Sequence, residues 1–95
     1  MSSFIKQLVK SKLKQVTPDE LLHYAREYGF TLTRGQAEKI AVYLKEHQFD
    51  PFHNRDRKQM LEDLAKITDV HTARQANSLL IEIVKEYGLE HLFED

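Results

Sequence analysis

Apolar residues recur with a helical period along nearly the whole chain, and few residues interrupt them. Three glycines and two prolines are the only strong breakers in 95 residues. No apolar–polar alternation bounded by turn residues marks a strand. This pattern points to an all-α fold. A single chain of this length forms one domain and buries only ~60–65% of the surface its unfolded form exposes. The helices are therefore expected to share one modest core.

Local signals divide the chain into five helices. The first is expected over about Ser3–Gln15. Phe4, Ile5, Leu8, Val9, Leu13 and Val16 fall on one half of its wheel, and Lys6, Lys10 and Lys14 form a stripe on the other. Lys12 falls inside the apolar arc, where its stem is expected to lie along the core while its charge reaches water. The second helix starts with Thr17 as cap, Pro18 at the first helical position and Glu20 completing a capping box. Its buried face is Leu21, Leu22, Ala25 and Tyr28. Gly29 is expected to turn left-handed and end it, with Phe30 folding back over Ala25 and Tyr24.

Thr33 and Gln36 repeat the capping-box spacing and open a third helix, which buries Ala37, Ile40, Ala41 and Leu44. Pro51 breaks the pattern, and Asn54 suits the cap of a fourth helix that buries Met60, Leu61, Leu64 and Ile67. The fifth begins at Asp69 or Thr72 and ends at Tyr87, with Gly88 as its stop. It carries "LLIEIV", whose Leu79, Leu80, Ile81, Ile83 and Val84 make an apolar arc wider than one face needs. Such a helix is either central or shared with a partner. The architecture is then a basic helix (1–16), two helical hairpins (17–48 and 54–88) and a short acidic tail (89–95) docking through Leu89, Leu92 and Phe93. An offset of 39 aligns Leu22, Thr33, Gln36 and Ala37 with Leu61, Thr72, Gln75 and Ala76, so the hairpins read as related.

The stretches "LLHYAREYGFTLTRGQAEKI", "DRKQMLEDLAKIT" and "TARQANSLL" resemble the YqfT-like proteins of spore-forming Gram-positive bacteria, a domain of unknown function. The resemblance covers roughly residues 4–84 and rests on helix-boundary and core positions. It implies a compact bacterial cytoplasmic protein, and it implies no substrate, cofactor or catalytic residue.

Composition narrows the chemistry further. There are no cysteines, which excludes disulfides, thiolate metal sites and a cysteine nucleophile. No apolar run approaches ~18 residues, and the N-terminus lacks a signal peptide's apolar core and cleavage site. Cytoplasmic localisation is the expectation. The net charge of −1 conceals an asymmetry: residues 1–16 hold four lysines and no acid, whereas residues 69–95 hold six acids and two basic side chains. The two ends can attract each other or a neighbouring copy.

Each candidate site competes with a plainer reading. Ala25 and Gly29 have helix-turn-helix spacing, but Gly35 and Glu38 stand where the second helix needs apolar anchors. A hairpin corner set by Gly29 fits better. His47, Asp50 and His53 are spaced by three, yet Pro51 interrupts any helix that would align them as metal ligands. Glu62 and Asp63 are adjacent on a helix and diverge, so they do not form an acid–base pair. The four tyrosines read as packing residues whose hydroxyls reach the surface. No phosphate loop or nucleophile elbow occurs.

The expectation is a non-enzymatic interaction module, an adaptor or regulator, with no cofactor and with self-association among its modes. Leu79, Leu80, Ile81, Ile83 and Val84 are its expected partner face. The rival is a nucleic-acid-binding accessory protein using Lys6, Lys10 and Lys14 with Arg55, Arg57 and Lys58. These residues must then share a face without intervening acid. Peripheral attachment of the first helix to anionic lipid is a third reading.

Overall fold

The structure, a computed structural model, describes residues 2–93; Glu94 and Asp95 of the expected acidic tail lie outside the described residues. Five α-helices follow in order: α1 Ser2–Lys14, α2 Pro18–Tyr28, α3 Arg34–Glu46, α4 Asn54–Ile67 and α5 Val70–Glu86. A 3-10 turn, Glu90–Leu92, follows. No strand occurs among the described residues. The fold is the expected all-α bundle.

Each boundary has a local cause. At the start of α2, the Glu20 amide donates to Thr17 Oγ1 at 3.1 Å and the Thr17 amide donates to Glu20 Oε1 at 3.0 Å. Thr33 and Gln36 exchange the same pair at α3, at 3.0 and 3.1 Å. Gly29 adopts φ 79°, with its amide on Arg26 O and the Phe30 amide on Ala25 O at 2.7 Å. Gly88 repeats this stop with φ 70°, using Lys85 O and Val84 O. Both glycines take the left-handed backbone that a side chain disfavours. Of the two expected starts for α5, Asp69 is the cap: its carboxylate accepts from the Thr72 amide at 2.7 Å and the Thr72 hydroxyl at 2.9 Å.

The cap of α4 differs from expectation. Asn54 is the first helical residue, and His53 caps it, Nδ1 accepting from the Arg55 amide at 3.3 Å. The reason lies upstream. Asp50 accepts the Phe52 amide on its side chain and the His53 amide on its carbonyl, forming a tight turn that leaves His53 extended. Asp56 in the first turn of α4 accepts the Asp50 amide at 2.9 Å and ties the turn to the helix.

The core joins Leu21 of α2 and Ala37, Ile40 and Leu44 of α3 to Met60 and Leu64 of α4 and Ala73 and Leu80 of α5. Helices α2 and α3 pack as one hairpin and α4 and α5 as another. Three of the residues aligned by the 39-residue offset, Gln36, Thr72 and Gln75, bond across their junction. Gln36 Nε2 donates to the buried Thr72 hydroxyl at 2.9 Å, and the Thr31 amide donates to Gln75 Oε1 at 2.8 Å. Two departures matter. Ile67, expected inside, is 42% exposed at the end of α4, and the α3–α4 connection, expected only as a break, supplies fully buried Phe52 and buried Phe49.

Candidate functional site

The partner face expected on α5 is largely consumed by the fold. Leu79, Leu80 and Val84 are buried in the chain's own core, and Ile83 lines an interior apolar void of about 40 Å³ with Leu79 and Leu80. Only Ile81 stays half-buried outside that lining. The wide arc of α5 follows from central placement, between α2, α4 and the 3-10 turn. The void's lining contains no titratable or nucleophilic side chain, so it offers no chemistry of its own.

Helix α1 behaves in the opposite way. Its Val9–Leu13 edge, continued by Val16, is half-buried, while Phe4 is 62% and Leu8 52% exposed, with Ile5 beside them. The expected apolar half-wheel is therefore split, one edge on the body and the other in solvent. The lysine stripe is split as well. Lys6 and Lys10 turn towards the body and are half-buried, and the Lys6 ammonium sits 5.9 Å from the centre of the Phe52 ring, within cation–π range. Lys14 is exposed, and so is Lys12, whose expected place along the core is not taken. The outward edge of α1 thus shows Phe4 and Leu8 in line, one turn apart, with Lys12 and Lys14 beyond them at the C-terminal end of the helix.

Arg57 of α4 and Lys6 of α1 meet at one aromatic pair. Phe52 and Phe93 rings lie 5.9 Å apart, and the Arg57 guanidinium is 4.8 Å from the Phe93 ring while donating to Pro51 O at 2.8 Å. Lys6 and Arg57 are therefore brought to the same place, but as half-buried struts that dock the tail. Lys14, Arg55 and Lys58 are exposed, and Asp56 stands among the α4 cations. The six residues do not make one open basic face.

A second surface forms where α2 meets the end of α5. The Tyr28 hydroxyl donates to Glu86, and Tyr87 lies close enough to Tyr24 to act on its hydroxyl. The Glu86 bond pushes the Tyr28 phenol up to about 12, and Tyr87 together with burial pushes Tyr24 up to about 12. The charge of Glu86 reinforces both shifts, with Glu20 adding to that of Tyr24 and Glu27 and Glu82 to that of Tyr28. Tyr87 itself is 64% exposed. The result is a fixed tyrosine surface with a negative surround, a feature that single tyrosines read as packing residues did not reveal.

The remaining polar groups serve the fold. Tyr43, expected to reach the surface, is buried; its hydroxyl donates to Asp63 at 2.6 Å, and Gln59 donates to the other oxygen at 3.0 Å. Burial first, then the Asp63 bond, raises the Tyr43 phenol, while the Tyr43 bond holds Asp63 below its ordinary value. His47 stacks on Tyr43 at 4.1 Å, with Nδ1 2.9 Å from the Tyr43 carbonyl oxygen. With His53 capping α4 and Asp50 closing its turn, the three candidate ligands have separate structural roles. Among the described residues no three His, Asp or Glu side chains gather to hold a metal ion. Gly29 ends α2 as a corner, and Ala37, Ile40, Ala41, Tyr43 and Leu44 turn α3 into the core.

The sequence matches a family described as a protein of unknown function (DUF2624) over residues 1–84. It is 34% identical over 73 residues to the uncharacterised protein YqfT of Bacillus subtilis (strain 168), a span covering 77% of this chain and 87% of that one. No solved structure matches it.

Proposed function

The chain belongs to the DUF2624 family, whose function is unknown, and from that premise we propose that it is a non-enzymatic, cytoplasmic protein-interaction module, an adaptor or regulator. One observation carries this reading: Phe4 and Leu8 stand in solvent on a helix whose other edge is already used by the core. Contiguous exposed apolar surface on a small domain marks an interaction site more often than a neutral one. Supporting it, Tyr43, Asp63, Asp69, His53 and Gln36 are each engaged in a cap or an inter-helix bond rather than aimed into a cleft. A cysteine-free chain suits a reducing compartment. Among the described residues, no helix is long and apolar enough to cross a membrane.

Site-specific photo-crosslinking in native cells tests the reading. A photoreactive residue at Leu8 is expected to give a discrete protein adduct that is absent when the probe sits at Lys39, an exposed position on α3. Equal labelling at both positions, or none at either, overturns the interaction module.

A further inference from the structure

We propose that the chain associates head to tail with a second copy of itself, the Phe4–Leu8 edge of α1 from one copy seating on the Tyr24–Tyr28–Tyr87 surface of the next. The proposal rests on the interaction reading above and names its partner.

The chemistry of the α1 edge dictates what can cover it. Its exposed N-terminal part is apolar, its C-terminal end carries Lys12 and Lys14, and residues 1–16 contain no acid. A complementary surface must therefore offer large apolar or aromatic area inside a negative rim. Two α1 edges facing each other offer no negative group to either pair of lysines, so a symmetric contact through α1 leaves the charge requirement unmet.

The same chain carries a surface of the required kind. Tyr24, Tyr28 and Tyr87 supply aromatic area, and Glu20, Glu27, Glu82 and Glu86 surround them with a net negative rim, although Lys85 lies 3.9 Å from Glu82 and His23 3.4 Å from Glu27. Tyrosine gives large contact area at a small loss of side-chain freedom. Here the hydroxyl bond of Tyr28 to Glu86 already restrains that ring, which lowers the ordering cost of binding. The α1 edge cannot reach this surface within its own chain, since α1 rests on α3 and turns Phe4 and Leu8 outward. A second copy can bring the two together.

Size and symmetry set the character of the contact. Helix α1 has 13 residues, a length of ~20 Å. Such an edge buries less than the ~1,600 Å² of a standard interface, so the association belongs to the weak, transient class. Unlike surfaces joined head to tail give rings or open chains rather than an isologous dimer. The charged groups make the contact weaken with salt.

Sedimentation equilibrium on the full chain tests the proposal. The average mass is expected to rise with concentration at low salt, and association is expected to weaken about tenfold in high salt. Two variants at exposed positions then separate the surfaces: F4E with L8E breaks the edge, and E27K with Y87K breaks the tyrosine surface. Each alone is expected to stay monomeric, and an equimolar mixture is expected to form a one-to-one heterodimer and nothing larger. K12E with K14E, which keeps the apolar residues, should behave as the edge variant does. Circular dichroism verifies that each variant is folded. A wild-type chain that is monomeric throughout overturns the proposal, as does a tyrosine-surface variant that still dimerises by itself. Flotation of a monomeric wild type with phosphatidylglycerol vesicles would assign the edge to lipid instead and also overturn it. A discrete crosslink from Leu8 to a different protein would leave the interaction module standing while self-association fails.

Discussion

Helices α1 and α5 exchange the places their sequences suggest. The apolar arc of α5 is too wide for one face, which reads as surplus for a partner, yet the fold covers nearly all of it. The apolar arc of α1 is of ordinary width, which reads as core, yet half of it faces water. The difference lies in neighbours. Helix α5 is packed by α2, α4 and the 3-10 turn, whereas α1 rests chiefly on α3. An arc width states how much surface can be buried, and the number of surrounding elements decides how much is.

The largest expected effect tests that contrast directly. Leu80→Ala in α5 should destabilise the protein by about 3 kcal/mol, the cost of a cavity in a packed core. Leu8→Ala in α1 should change stability by no more than about 0.5 kcal/mol, because the side chain is already in water. Urea unfolding of both variants reads the difference. Comparable losses would mean that α1 buries its outward edge and would break the comparison.

A smaller effect concerns the stops that shape the first hairpin. Gly29→Ala should cost about 1 kcal/mol or more, since a Cβ is strained at φ 79°. The space around that position is open, so the cost is one of backbone conformation alone. Gly35→Ala, inside the first turn of α3 with a nearest contact at 4.0 Å, should instead stabilise by a few tenths to about 1 kcal/mol. Thermal unfolding of the pair should shift the midpoint in opposite directions. The same sign for both would refute the left-handed assignment of Gly29.

The smallest effect separates the caps of α2 and α5 by pH. Thr17 caps α2 with a hydroxyl that does not titrate. Asp69 caps α5 with a carboxylate held below its ordinary value of 3.8 by the Thr72 amide and hydroxyl. A depressed folded value means that the contribution is fully present above 3.8 and is lost as pH falls through the lower folded value. Asp69→Asn should therefore be less stable than wild type at neutral pH, with the gap closing in acid. Urea midpoints measured down through the carboxylate range would show it, and a gap that stays constant with pH would remove the charge from the cap's role.

Much of the fold was legible in the sequence, and for particular reasons. Thr17 with Glu20, Thr33 with Gln36, and Gly29 with Phe30 each act over a few residues, so their spacing alone identifies them. Asn54 misled because the cap was moved one residue upstream by the Asp50–Pro51 turn, a structure whose hydrogen bonds no periodicity encodes. Phe49 and Phe52 were missed as core because they sit in a polar connection without helical period. An aromatic pair flanking Pro51 in so polar a stretch was the signal available. The candidate site was less legible still. The tyrosine surface joins Tyr24 and Tyr28 to Tyr87 across some sixty positions, and nothing local links them.

The sequence by itself determined where most of the helices begin and end, the start of α4 excepted, and which residues were eligible for burial. Those choices depend on φ preferences, caps and a 3.6-residue period, all of which act within a turn or two. Only the tertiary structure decided which eligible residues were covered: the face of α5 but not the outer edge of α1, and Lys6 drawn towards Phe52 rather than left in solvent. Coverage requires atoms from distant segments at contact distance, and five helices around so small a core cannot enclose every apolar face they carry.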